Sequence, residues 1–263
     1  MNSKIVLQKD SITATILNGE LISLKCNNEE FIHQKGNKGW SKSDDEMFPI
    51  IGNIKKNDFK VITKKGVAIQ DQHGLLREMN YNLLNSNLET AKYIKTYTKN
   101  TLIKNSKYPK KSTKEHVFWP YDFIFKKEFS ILNNGLKIDF IFNSEKNMPF
   151  MLGYHPAFLL SNTGNEKIEC ESNIITIKDV LNAGANAFPF LNSNTILLHN
   201  IQKKNIEITT TGFKDFMLWT EVNNMLCIEP ITTYVPDIKE VYSEKNMLLS
   251  KEENRFSILI KII

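Results

Sequence analysis

Hydrophobic and polar residues alternate along much of this chain with the period of two that half-buried strands require. Ile5 and Leu7 begin the series, Ile12, Ala14 and Ile16 continue it between threonines, and Asn18-Gly19 leads into Leu21 to Leu24. An Asn-Gly pair between alternating runs predicts a hairpin, because both residues reach positive φ at little steric cost. The pattern returns at Phe129 to Leu132, Asn134-Gly135 and then Leu136, Ile138, Phe140 and Phe142, and again at Ile206 and Ile208 before Thr211-Gly212 and Phe213. The chain closes on Phe256, Ile258, Ile260 and Ile262, interleaved with Ser257, Leu259 and Lys261.

Helical spacing is scarce. Its best instance is Leu75, Leu76, Met79, Leu83 and Leu84, but Asn80, Tyr81 and Asn82 are poor helix formers and no cap precedes the run. Short strands with frequent turn signals predict an all-β fold, a large antiparallel β-sandwich with few short helices. No fixed-period repeat and no Gly/Ser-rich or Pro-rich linker divides the chain, so residues 1–263 are expected to form one domain.

Composition supports a packed interior, with 41% apolar and 24% charged residues and 16 Phe, 8 Tyr and 3 Trp to fill a core. The net charge of +5 is a lysine excess, densest at Lys107, Lys110, Lys111 and Lys114 beside Pro109 and Ser112. A nucleic-acid groove would interleave such a cluster with stacking aromatics, and only Tyr108 is near. The run therefore predicts a solvated loop and no nucleic-acid partner. Cys26, Cys170 and Cys227 lack paired spacing, which points to free thiols in a reducing compartment with no disulfide and no zinc site. Met1 to Asp10 has no apolar signal-peptide core, and no stretch approaches the roughly 20 apolar residues of a membrane helix. A cytoplasmic protein without membrane association is expected.

Three segments set titratable residues among Gly, Pro and aromatics: Gln72-His73-Gly74-Leu75-Leu76-Arg77-Glu78, Gly153-Tyr154-His155-Pro156-Ala157-Phe158 and Cys227-Ile228-Glu229-Pro230. Such loops and strand ends are where a rigid β scaffold exposes reactive groups. Together with Asn18 to Leu24, Trp40, Phe48-Pro49-Ile50-Ile51-Gly52, Trp119-Pro120-Tyr121-Asp122-Phe123 and Trp219, their order and spacing resemble the aldose 1-epimerase (mutarotase) family, in particular its LacX-like branch.

The resemblance implies a galactose mutarotase-like β-supersandwich that holds a sugar on its concave face and isomerises it without metal or cofactor. It implies that His155 is the general acid, Glu229 the general base and His73 a substrate-orienting histidine. Mutarotation requires a proton given to the ring oxygen while another leaves the C1 hydroxyl, so histidine near its ordinary pKa of about 6.5 and a glutamate raised by burial suit the two tasks. Arg77 offers guanidinium donors to a sugar hydroxyl or a phosphate. Trp40, Tyr154, Phe158 and Trp219 offer flat faces for a pyranose, although each is also a good core residue.

Taken alone, His155 reads as a structural histidine and Glu229 as an ordinary strand-end charge; His33, His116 and His199 remain surface or structural residues. Asp237 after Pro236 reads as a turn residue. Two departures from the family pattern stand out. Asn53 follows Gly52 where many relatives carry arginine, and Ser43-Asp44-Asp45-Glu46 precedes Phe48-Pro49 where relatives tend to have an arginine. The expected activity is interconversion of the α and β anomers of an aldohexose. The alternatives are a hexose 6-phosphate epimerase, disfavoured by a chain whose arginines are Arg77 and Arg255 alone, and a silent sugar-binding module, disfavoured by the joint presence of His73, His155 and Glu229. The oligomeric state, monomer or homodimer, is open.

Overall fold

The N-terminal alternation folds as a four-stranded antiparallel meander, Lys4–Lys9, Ile12–Leu17, Glu20–Cys26 and Glu29–Glu30. Leu17 pairs with Glu20 across Asn18 and Gly19, whose φ values of 52° and 85° are those a two-residue turn of this type demands. The structure is a computed structural model and describes residues 3–236 and 242–263. Asp237 lies outside the described residues.

The largest sheet has nine antiparallel strands in the order Asn173–Thr176, Lys167–Cys170, Thr195–His199, Ile206–Thr211, Glu253–Ile262, Gly135–Ser144, Phe123–Leu132, Thr90–Tyr97 and Asn82–Ser86. Its inner face follows the sequence period: Phe256, Ile258, Ile260 and Ile262 are buried, as are Leu136, Ile138, Phe140 and Phe142. Phe125, Phe142 and Phe256 stack on three adjacent strands, with Phe142 6.3 Å from each neighbour. Phe48, just after the strand Glu46–Met47, and Phe150, in the short strand Pro149–Phe150, close on this ladder at 5.1 and 4.7 Å from Phe142. Each fully buried Phe contributes about 1.5–3 kcal/mol, so the ladder fixes which faces of the two layers meet.

The facing layer is a six-stranded antiparallel sheet running Phe188–Phe190, Asp215–Trp219, Met225–Ile231, Gly153–Tyr154 and Glu46–Met47, with Ala157–Leu159 also paired to Met225–Ile231. The architecture is an antiparallel β-sandwich.

Two turn readings change. Leu132 pairs directly with Gly135, so the hairpin turns at Asn133 and Asn134. Gly135 belongs to the strand, where a Cβ would lie 1.9 Å from the Ile260 carbonyl oxygen. Gly212, at φ 88°, does not fold the chain back either; it carries the chain from Ile206–Thr211 in one sheet to Asp215–Trp219 in the other. The Leu75 to Leu84 run is a single 3-10 turn, Leu75–Glu78, followed by the edge strand Asn82–Ser86. One α-helix is present among the described residues, Ile177–Ala183, started by a Thr176/Asp179 capping box. No described helix is long and apolar enough to cross a membrane, and Cys26, Cys170 and Cys227 are free and buried.

Candidate active site

Strand register brings the two principal residues together. Gly153 pairs with Ile231 and Ala157 with Cys227, so the same antiparallel frame sets His155 opposite Glu229. Their side chains meet at 3.2 Å between His155 Nε2 and Glu229 Oε1, on the floor of a cleft of about 690 Å3. On the far side of Glu229 its strand partner is Met217, which lines the cleft. The His155 backbone is itself held by Asp45, donating N–H to the Asp45 carbonyl at 2.8 Å and accepting from the Asp45 N–H at 3.2 Å. Trp40 lies over the imidazole at 4.3 Å between ring centres, and Trp219 meets it edge-on at 6.0 Å.

His73 arrives by another route. Segments 48–52 and 73–76 clasp each other: Phe48 N–H donates to the His73 carbonyl, Leu76 N–H to the Phe48 carbonyl and His73 N–H to the Gly52 carbonyl, all at 3.0–3.1 Å. His73 is held at φ 67°, costly for a residue with a Cβ. Gly74 follows at φ 77°, and the position admits only glycine because a Cβ there would stand 2.2 Å from the Phe48 oxygen. The Gly52 N–H donates to His73 Nδ1 at 3.2 Å, so a neutral ring carries its proton on Nε2 and acts as a donor. Its ring centre is 5.8 Å from that of His155. Arg77, on the 3-10 turn, is fixed by Asp45, with Nη2 2.9 Å from Oδ2.

Beneath the cleft lies a desolvated charge cluster. The fully buried Lys127 contacts Asp44 at 2.7 Å and Glu46 at 2.6 Å, and Lys95 sits 3.5 Å from Glu46 and donates to the Leu76 carbonyl. Burial opposes the Lys127 charge, but the two carboxylates outweigh it and hold its pKa above the ordinary value. Within the cleft the pattern is opposite. Burial, helped by the Arg77 charge, pushes His155 down to about 3, and burial raises Glu229 to about 8. His73 is also held well below its ordinary value by burial and by Arg77. At neutral pH both histidines are therefore uncharged and Glu229 retains its proton.

Residues 4–197 match the sequence model of the family described as aldose 1-epimerase. The chain belongs to the aldose 1-epimerase family. Solved structures of the same fold cover it almost completely. A galactose mutarotase related enzyme from Lactobacillus acidophilus superimposes with a TM-score of 0.80 at 19% identity, over 99% of this chain and 100% of that one. A galactose mutarotase-like protein from Lactobacillus casei gives 0.80 at 16% identity over 99% and 100%. Another from Clostridium acetobutylicum gives 0.72 at 14% over 99% and 95%. No curated protein matches the chain by sequence.

In this aldose 1-epimerase family member the cleft gathers His73, Arg77, His155, Glu229, Trp40 and Trp219. It does not gather Tyr154 or Phe158, which are fully buried. The reason is the strand period: His155 and Ala157 face the cleft side, so Tyr154 and Phe158 face the interior. Tyr154 packs 5.2 Å from Phe140, and its hydroxyl donates to Asp44 at 2.7 Å. Asn53 lines the cleft, where its side chain accepts from the Lys55 N–H. Arg255 is not among the residues that line the cleft; it lies on the Glu253–Ile262 strand, 3.5 Å from Glu253. His33 is structural, with Nε2 2.9 Å from the Trp40 carbonyl, and His199 pairs with Glu169.

The reading of the lysine run as a solvated loop is corrected in part, since Lys107 and Lys111 line the cleft. Sequence reasoning missed these two, along with Gln72, Met217 and the Asp45 that anchors Arg77. Asp45 carried a signal, an acidic residue standing where relatives tend to have arginine. The lysines carried none, because the contacts that bring them in span 34 and 35 residues of sequence.

Proposed function

We propose that this chain interconverts the α and β anomers of an aldohexose by ring opening and closure, as one domain using His155 and Glu229 as an acid–base pair. The observation that supports this most is the 3.2 Å contact between a buried imidazole and a buried carboxyl on the floor of a sugar-sized cleft. A pyranose placed with C1 at this pair donates the C1 hydroxyl proton to one partner and receives a proton on the ring oxygen from the other; the C1–O5 bond breaks to the free aldehyde. Rotation about C1–C2 and reversal of the proton transfers close the ring on either face.

The reaction needs one mobile proton on the pair. Burial rests that proton on Glu229, so His155 acts as the acid after taking it across the short contact, or Glu229 donates directly. The two apparent pKa values belong to the pair. Trp40 and Trp219 frame the imidazole and present ring faces to the sugar, while His73 Nε2–H and the Arg77 guanidinium donate to its hydroxyls. Positioned acid–base groups contribute roughly 10²–10⁴-fold each.

Polarimetry of freshly dissolved α-D-glucose or α-D-galactose, corrected for the spontaneous rate, tests the proposal. His155→Ala and Glu229→Ala are each expected to lower kcat by roughly 10²–10⁴-fold, and the double variant to be little worse, since a concerted pair fails when either half is lost. A folded Glu229→Ala protein with wild-type kcat would end this mechanism.

A further inference from the structure

Trp40 covers the imidazole of His155, yet no regular element holds it there. Residues 34–42 contain neither helix nor strand, and 35–39 are exposed. Both main-chain groups of Trp40 are bound instead by side chains from other segments. Its N–H donates to Met225 Sδ at 3.2 Å, and its carbonyl accepts from His33 Nε2 at 2.9 Å. A loop residue whose N–H and C=O are both satisfied by side chains stands where those side chains put it.

Both partners are wholly buried and tied to the strands that carry or flank His155 and Glu229. His33 donates its N–H to the Ala157 carbonyl at 2.8 Å, and its own carbonyl accepts from the Ser43 hydroxyl at 2.9 Å. Met225 opens the strand Met225–Ile231, and the strand period puts Met225, Cys227 and Glu229 on one face. There Ala157, Met225 and Cys227 form a small apolar cluster apart from the main core, against which Trp40, Trp219 and Val222 pack. The loop is pressed close to this cluster. A Cβ on Gly39, at φ 110°, would stand 2.6 Å from Met225 Sδ, and Asn224 Nδ2 donates to the Lys38 carbonyl at 3.0 Å.

We infer that His33 and Met225 are positioning residues: they hold Trp40 as the cover of the His155 imidazole, keeping water off that ring and fixing the indole for the sugar. The sugar half of this statement rests on the sugar-isomerising reading above, and the imidazole half stands by itself. The cover acts through solvation. Of the groups that face the imidazole, Glu229, His73 and Arg77 come from other segments and stay when the loop lifts, and Lys42 is pinned to Asp45 at 2.6 Å. Hydration is what changes. Water admitted to the ring stabilises its charged form and raises its pKa from the value of about 3 at which burial holds it.

The test follows the His155 ring by NMR titration of histidine-labelled protein, beside KM and kcat from polarimetry. Trp40→Ala removes the cover and sets the full upward shift of the His155 titration. Met225→Leu keeps the volume and loses the sulfur acceptor, His33→Leu loses the donor, and Gly39→Ala drives the loop off its seat from an exposed position that leaves the core intact. Each should shift the titration in the same direction as Trp40→Ala and raise KM by roughly 2–10-fold, the size of one neutral hydrogen bond. His33→Gln, which restores an N–H donor, should return both quantities toward wild type. A merely structural role would lower the folded fraction, and with it the apparent kcat, without moving KM or the titration. A titration unmoved by Trp40→Ala, or unmoved by both His33→Leu and Met225→Leu, would overturn the inference. If no sugar were turned over, the isomerase reading would fail by itself; the titration would still decide whether His33 and Met225 hold the cover.

Discussion

Replacing Glu229 by Gln keeps the shape of the side chain and removes its titration, which isolates the energetic consequence of burying this carboxyl. Folding raises its pKa from 4.5 to about 8, and the cause is burial. Between those values the folded chain holds a proton that the unfolded chain releases. The contribution is complete below about pH 4.5 and is lost as pH rises through about 8. At ~1.36 kcal/mol per pH unit the loss across this window is on the order of 5 kcal/mol. A neutral amide at this position would have no proton to lose. The stability of Glu229→Gln relative to wild type is therefore expected to rise steadily from acid to alkaline pH and to level off above about 8. Asp44, raised to about 6 by burial, titrates in both proteins and cancels in the difference. His155, the titratable group that faces Glu229, is uncharged throughout the window. Urea unfolding of both proteins from about pH 5 to about pH 9 measures the difference curve. Two parallel curves would show that Glu229 is not held protonated by the fold, and the proton inventory of the proposed mechanism would have to be rewritten.

Three further outcomes follow from the same geometry. Mutarotase activity should be broad in pH, falling on the alkaline side near 8 as Glu229 loses the shared proton and on the acid side only near 3 as His155 gains a second; an alkaline limb near the ordinary histidine value, followed polarimetrically, would contradict this. Tyr154→Phe should cost about 1–3 kcal/mol by removing the hydroxyl that Asp44 accepts from, with KM for sugar unchanged because the ring faces the core; a raised KM would return Tyr154 to the cleft. Gly74→Ala should destabilise the chain by about 3 kcal/mol or more in thermal or urea unfolding, because its Cβ would strike the Phe48 carbonyl at a positive φ; an unaltered transition would mean that the clasp relaxes around it.

The sequence period predicted the large sheet well, because burial on one face of a strand writes directly into alternate residues: Phe256 to Ile262 and Leu136 to Phe142 are buried as their spacing requires. The same period, applied around His155, would have sent Tyr154 and Phe158 inward; reading them by residue type as sugar-stacking aromatics ignored it. Turn chemistry was legible at Asn18-Gly19 but not at Gly212, since a left-handed glycine reports a change of direction without saying which sheet receives the next strand. Charge was the least legible property. Lys127 looks like any strand lysine yet is wholly buried between Asp44 and Glu46, and Lys107 looks like a loop lysine yet lines the cleft. In both, the deciding partners are 35 to 83 residues away in sequence, and no local pattern encodes that distance.

The Lys127 cluster also bears on how the cleft comes apart. Asp44 and Glu46 belong to the segment that holds the His155 backbone, whereas Lys127 belongs to the nine-stranded sheet. Peeling that segment away while the sheet remained folded would break both Lys127 ion pairs at once, and depriving a buried charge of its partners costs several kcal/mol. Partial opening is thus suppressed, and the floor of the cleft shares the cooperativity of the whole sandwich instead of fraying as a surface loop does. Mutations in distant parts of the large sheet will then reach the site as changes in the fraction of folded molecules, not as a graded loosening of its geometry.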